Sequence, residues 1–226
     1  MADLFDLDPD LISLFPILIA FLTGVFGPLL LAYIRFKLGR KDKELDRRKQ
    51  DFMSTLVTQE IINKNLHKVQ SQYNLDRVWV AQFHNGSHFY PGNISMKKMS
   101  VTFESTSPGV AADIMKMQNL PVSFFSSALQ KLSNGEDGVT VDVYTDEDNA
   151  LRSFWEDRGV QTVYMFPIRC LESDFIGVFG VDFVKRDGFL TDEVYEQLKL
   201  EAYQLSGYVA SVSIDKDIAK RHKDNK

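Results

Sequence analysis

The longest apolar run in the chain is Leu11–Ile34, LISLFPILIAFLTGVFGPLLLAYI, which is uncharged throughout. As a helix it covers roughly 36 Å, enough for a hydrocarbon core of about 30 Å with some tilt. Only a helix satisfies the backbone polar groups of such a segment in lipid, and Pro16 and Gly27-Pro28 kink it without forbidding it. A buried soluble helix is seldom apolar on every face over this length. A secretory signal peptide would carry its bases before the apolar run, and here acids come before and bases after. The run therefore predicts a transmembrane helix over 11–34, after a short acidic N-terminus over 1–10.

From Asp42 to Tyr73 there is no Gly or Pro. Leu45, Phe52, Leu56, Ile62, Leu66, Val69 and Tyr73 recur mostly at three-, four- and seven-residue steps, with Gln59 interrupting the stripe. This spacing predicts an amphipathic connecting helix within a segment 35–73 and gives a weak coiled-coil signal. The stripe can pair with a second copy of the chain or lie on the chain's own domain, and a homodimer through residues 42–73 is the expected use.

Beyond Leu75 the period shortens. Arg77–Phe83 and Met99–Glu104 read as strands, Val110–Gln118 as a short helix or turns, and Pro121–Leu132 as a helix with Pro at its first position. Val139–Tyr144 alternates as a strand, and Asp146–Arg158 is a helix stopped by Gly159. Gln161–Cys170 and Phe175–Val184 are two more strands. Gly177 and Gly180 in the second point to a bulge or a close approach. Thr191 caps a final helix with Asp192 and Glu193 in its first turn, and residues 215–226 form a charged tail. The expected architecture is α+β, a mixed sheet of five to six strands packed by helices over residues 74–214.

Charge sharpens the membrane reading. Residues 1–34 contain four acids and no Lys or Arg, whereas 35–49 contain eight bases against three acids. The cluster Arg35, Lys37, Arg40, Lys41, Lys43, Arg47, Arg48 and Lys49 marks the cytoplasmic side. The expected topology is single-pass, with the N-terminus outside and 35–226 cytoplasmic. From Gln50 onward 18 bases face 24 acids, a balance that argues against nucleic-acid binding. The lone Cys170 permits no internal disulfide and no Cys-rich zinc site.

The densest unusual stretch is Gln82–Gly92, QFHNGSHFYPG, at the end of the first strand. His84, Asn85, Gly86, His88 and Tyr90, with Phe103 from the second strand, are the candidate lining of a small-ligand pocket. In the alternative, Asn85-Gly86 and Pro91-Gly92 are turns and the aromatics cover the sheet edge. A metal would need a third ligand beside His84 and His88, and the spacing offers none. A Cys170–His84 catalytic pair finds no feature that would lower the thiol pKa. Walker and G-x-G-x-x-G loops are absent. No catalytic residue is assigned, and an enzyme ranks last among the functions considered.

The stretch Arg158–Ser213 resembles the C-terminal half of a GAF domain. The matching features are Gly159 ending a helix, Phe166-Pro167-Ile168-Arg169, the strand Ile176-Gly177-Val178, and the acid-capped Phe189-Leu190-Thr191-Asp192-Glu193. The resemblance covers roughly residues 50–214. It implies a GAF-like sensory or ligand-binding module, here tethered to a membrane and signalling through an unidentified protein partner, because no output domain follows the last helix. The cysteines of GAF-type methionine sulfoxide reductases and the chromophore Cys setting of bilin-binding domains have no counterpart here. Neither has the Asn-Lys, Phe, Asp-Glu pattern of cyclic-nucleotide binders, so the cofactor stays unknown. The segment Phe83–Tyr90 is similar instead to uncharacterised GAF-like membrane proteins of tailed phages. That suggests the alternative of a tethered interaction or lysis-related protein that binds no ligand.

Overall fold

A computed structural model describes residues 16, 19–21, 24, 27–85, 96–145, 149–170, 174–184 and 188–213. The chain divides into two compact units between Ser54 and Thr55.

Helix α1 spans Gly27–Gln72, so the expected connecting helix begins 15 residues earlier than the sequence signal at Asp42. Pro28 stands at its second position, where a missing N–H costs nothing. In the first unit its apolar residues are exposed: Leu29, Leu30, Leu31, Tyr33, Ile34 and Phe36, then Leu45 and Phe52. No helix among the described residues is long and apolar enough to cross a membrane. Of the predicted span 11–34, most of the first part, 11–26, lies outside the described residues.

The second unit is built on a six-stranded sheet. Its strands are β1 (Arg77–His84), β2 (Lys98–Thr106), β3 (Leu120–Pro121), β4 (Val139–Asp142), β5 (Thr162–Arg169) and β6 (Phe175–Phe183), in the order β3-β2-β1-β6-β5-β4. Every neighbouring pair is antiparallel, which corrects the expected mixed sheet. β1–β2 and β5–β6 pair as neighbours in sequence, and β1 joins β6 across the centre antiparallel to it, so no parallel crossover is needed. β1 and β6 are central, which is why RVWVAQFH and FIGVFGVDF read as almost unbroken apolar runs.

Among the described residues the unit has three more helices: α2 (Ser126–Ser133), α3 (Asn149–Glu156) and α4 (Asp192–Ser213). The helix expected from Pro121 instead starts at Ser126. Pro121 is extended (φ −62°, ψ 130°) in the short β3 pairing, and Val122–Phe125 form a single 3-10 turn. Val110–Gln118 proves to be turns. Gly159, at φ +66°, stops α3 as predicted, with Gly159 N–H donating to Glu156 O and Val160 N–H to Trp155 O. Thr191 caps α4, its Oγ1 accepting from Val194 N–H at 3.3 Å.

The sheet has two covered faces. One carries Val78, Val80, Phe103, Phe166, Phe179 and Val181 against Ile62, Leu66 and Val69 of α1 and Leu198, Leu205 and Val209 of α4. The other carries Trp79, Ala81, Met99, Val101 and Met165 against Met117, Phe125, Leu132 and Trp155. The apolar stripe of α1 is thus divided: Ile62, Leu66 and Val69 are core, whereas Leu45, Phe52 and Leu56 face outward.

Candidate functional site

His84 ends β1 and is buried at 4% exposure. Alternation from Val78 and Val80 puts it on the face covered by α1 and α4. Its Nε2 lies 2.8 Å from Ser100 Oγ. That oxygen accepts from Asn119 N–H at 2.8 Å, so one hydroxyl meets both the imidazole and the turn before β3. Asn119 is held at φ +57°, a left-handed conformation that asparagine tolerates. The three residues fasten the turn before β3 to the centre of the sheet.

Asn85 follows at the surface, where its Oδ1 accepts from Lys97 N–H at 2.9 Å. His84 and Asn85 therefore sit together at one end of the segment that returns at Lys97. Gly86, His88 and Tyr90 lie outside the described residues. Phe103 does not join His84: it pairs with Val80, four residues back along β1, or about 13 Å at ~3.3 Å per residue. There it is 6% exposed within the helix-side core. A bulge between Val80 and Ala81 leaves Thr102 extra, its hydroxyl donating to Val80 O.

The opposite face holds an arrangement that the sequence reading missed. At the start of β1 the Arg77 guanidinium is 2% exposed. Its Nη1 donates to Asp182 Oδ2 at 3.1 Å and its Nη2 to Ala111 O at 2.9 Å, while its Nε stands 3.3 Å from Glu104 Oε1. Glu104 in turn accepts from the Asp113 and Ile114 N–H groups at 2.9–3.0 Å. Asp113 meets Arg158 Nε at 2.9 Å, and the Arg158 guanidinium lies 3.6 Å from the centre of the Phe154 ring. This chain of charges binds β1, β2 and β6 to the 107–118 turns and the end of α3.

Asp182 is fully buried, and Trp79 Nε1–H donates to its other oxygen at 2.7 Å. Burial pushes its carboxyl up to about 6, against the opposing pull of Arg77 and of the Trp79 hydrogen bond. Trp79 lies flat over Gly180, where an added Cβ would stand 2.1 Å from Trp79 Cζ2. It stacks on Trp155 at 6.4 Å and 27°, and Trp155 meets Phe125 and Phe154 edge-on. The space between the sheet and helices α2 and α3 is thereby occupied by large side chains. A signal for this cluster existed: Arg77, Glu104 and Asp182 are charges inside otherwise apolar strands, and such charges are normally paired.

The remaining candidates are scattered. Cys170 is half-buried just past β5. Arg35, Lys37, Arg40, Lys41, Arg47 and Arg48 are exposed on α1. Among the described residues no group of three His, Cys, Asp or Glu side chains is placed to hold a metal ion.

No protein-family model and no curated protein matches the sequence. Solved structures do. A phycocyanobilin-bound GAF domain from a cyanobacterial phytochrome matches with a TM-score of 0.57 at 19% identity, covering 74% of this chain and 91% of that one. A phycoerythrobilin-bound GAF domain, also from a cyanobacterial phytochrome, gives 0.56 at 17% identity over 74% and 93%. The GAF domain region of a putative membrane protein from Geobacter sulfurreducens gives 0.54 at 15% identity over 70% and 97%. The second unit, with its six-stranded antiparallel sheet between two covered faces, has the GAF-domain fold.

Proposed function

We propose that this chain is a GAF-like sensory module held at a membrane by residues 11–34, with residues 35–226 on the cytoplasmic side. The observation that carries the reading is the first half of α1. Leu29, Leu30, Leu31 and Ile34 are 62%, 60%, 58% and 42% exposed, and the basic cluster starts at the next residue, Arg35. Exposed apolar side chains on a helix stretch that carries no charge on any side find their solvent in lipid. The same helix ends in the core of the GAF-fold unit through Ile62, Leu66 and Val69. That makes it the element on which a change in the domain would be felt. Leu45, Phe52 and Leu56 remain open for the homodimer expected through residues 42–73.

Two measurements test the reading. The intact chain should remain in the membrane pellet after alkaline carbonate extraction; its release into the supernatant would end the tether. Mass spectrometry of small molecules co-purifying with the protein should recover a ligand if the domain senses one.

A second reading is favoured by the filled face: with Trp79, Phe125 and Trp155 each fully buried between sheet and helices, the domain would act by docking an unidentified protein partner without a ligand. Empty mass spectra, and no thermal shift with bilins or cyclic nucleotides, would select it.

A further inference from the structure

The inference concerns Gly27–Lys49 alone and deepens the membrane reading, on which it rests. At about 100° per residue, Leu29, Leu30, Leu31 and Ile34 cover one side of α1 and Pro28 and Ala32 fall on the other, so Gly27–Ile34 presents no charged side. A helix lying in the plane of a membrane has one apolar and one cationic face. The bases here do not keep to a face either. Arg35, Lys37, Arg40 and Lys41 are all exposed, and around the axis they leave no gap wider than about 140°. Apolar on all sides, then cationic on all sides, fits a helix that passes through the interface along the bilayer normal.

Depth separates the bases into two groups. Arg35 to Lys41 span about 9 Å of axis, close to the ~5–7 Å of one headgroup layer. Helical side chains lean towards the N-terminus, here towards the apolar run. Two contacts display that lean: Lys37 Nζ lies 6.0 Å from the Tyr33 ring centre, and the Arg40 guanidinium 5.4 Å from that of Phe36. Arg47, Arg48 and Lys49 start about 18 Å beyond Arg35, farther from the headgroups than a screening length of about 8 Å. Arg48 is moreover paired with Glu44 at 2.6 Å. We propose that Arg35, Lys37, Arg40 and Lys41 form a ring that gathers anionic glycerophospholipids around the helix, and that the outer bases take no part.

The full chain, reconstituted from detergent into phosphatidylcholine vesicles with a minor fraction of phosphatidylglycerol, is extracted in polymer-bounded discs and the retained lipids are quantified. Phosphatidylglycerol should be enriched over the bulk, on the order of fivefold per headgroup site. The enrichment should fall towards the bulk ratio in 1 M salt, where the screening length is about 3 Å. It should vanish in Arg35→Gln/Lys37→Gln/Arg40→Gln/Lys41→Gln and survive in Arg47→Gln/Arg48→Gln/Lys49→Gln. Bulk composition around the wild-type chain, enrichment indifferent to salt, or loss in the outer variant alone would each overturn the ring. Flotation with pure phosphatidylcholine vesicles keeps the two proposals apart. A chain that floats yet shows bulk composition has lost only the ring, whereas one that does not float has lost the tether as well.

Discussion

Replacing Gly180 by Ala should be among the most damaging single-methyl changes available to this protein. The new Cβ would stand 2.1, 2.2 and 2.6 Å from Cζ2, Cε2 and Cδ2 of Trp79, where ordinary contact begins near 3.4 Å. The indole would have to retreat by about 1.3 Å, the shortfall between 2.1 Å and ordinary contact. Its surroundings resist: Trp79 is fully buried, its Nε1 is fixed to Asp182 at 2.7 Å, and it stacks on Trp155. Overpacking costs about 1–3 kcal/mol. Stretching a hydrogen bond to a buried carboxylate adds about 1.5–3 kcal/mol. The lower chain entropy of Ala in the unfolded state returns about 0.4–1 kcal/mol. The expected net loss is about 2–5 kcal/mol, a large part of the ~5–15 kcal/mol that holds a typical domain together. Urea unfolding of the full chain, followed by far-UV circular dichroism, measures it, with near-UV signals reporting the displaced tryptophans. Gly207→Ala is the internal control. Gly207 is exposed within α4, and a Cβ there meets nothing within 4 Å, so helix propensity alone should add about 0.5–1 kcal/mol. Combining Gly180→Ala with Trp79→Phe should cost at least about 1 kcal/mol less than the sum of the two single changes, because both act on one contact. A Gly180→Ala protein within about 1 kcal/mol of wild type, or strict additivity in the double variant, would refute the packing argument.

Asp182 predicts an unusual pH dependence. Its folded pKa of about 6 lies above its ordinary value of 3.8, so between those pH values the native state binds more protons than the unfolded one. Stability should therefore rise as pH falls from about 7 towards 4, by up to about 3 kcal/mol; Asp182→Asn should flatten this window, and a wild-type profile already flat across it would contradict the assignment. Ser100→Ala removes the oxygen shared by His84 and Asn119 and should cost about 1–3 kcal/mol, measured by thermal unfolding; no loss would show that the His84 contact fastens nothing. Thr191→Ala should cost about 1 kcal/mol through the lost cap, with faster amide exchange confined to the first turn of α4, and unchanged exchange there would dismiss the capping role.

The parts of the fold legible in the sequence were those governed by local chemistry. The period-two pattern of Val139–Asp142, the stop at Gly159 and the cap at Thr191 each follow from residues within a few positions of one another. Strand direction was not legible, because whether β1 meets β6 parallel or antiparallel is decided about a hundred residues apart. Pro121 misled for a related reason: a proline suited to opening a helix is equally suited to an extended position, and the pairing with Lys98 on β2 decides for the latter.

The same distinction explains why the site reading turned to His84–Tyr90 and passed over Arg77. Histidines and glycine turns look chemical in a linear sequence, yet in the fold His84 and Asn85 are engaged in joining β1 to the chain around Lys97 and Asn119. Arg77, Glu104 and Asp182 each look like a lone misplaced charge inside an apolar strand. Burying any one alone would cost several kcal/mol, so an isolated charge in a central strand already demands a partner of opposite sign on a neighbouring strand. The three strands supply one another. Their shared demand also helps to fix the 107–118 turns, beside the buried Val110 and Met117: Glu104 takes the Asp113 and Ile114 N–H groups, and Arg77 takes Ala111 O. Loss of the Arg77 and Glu104 side chains would free Ala111 O and the Asp113 and Ile114 N–H groups together, so these buried charges are a joint between the sheet and the 107–118 turns.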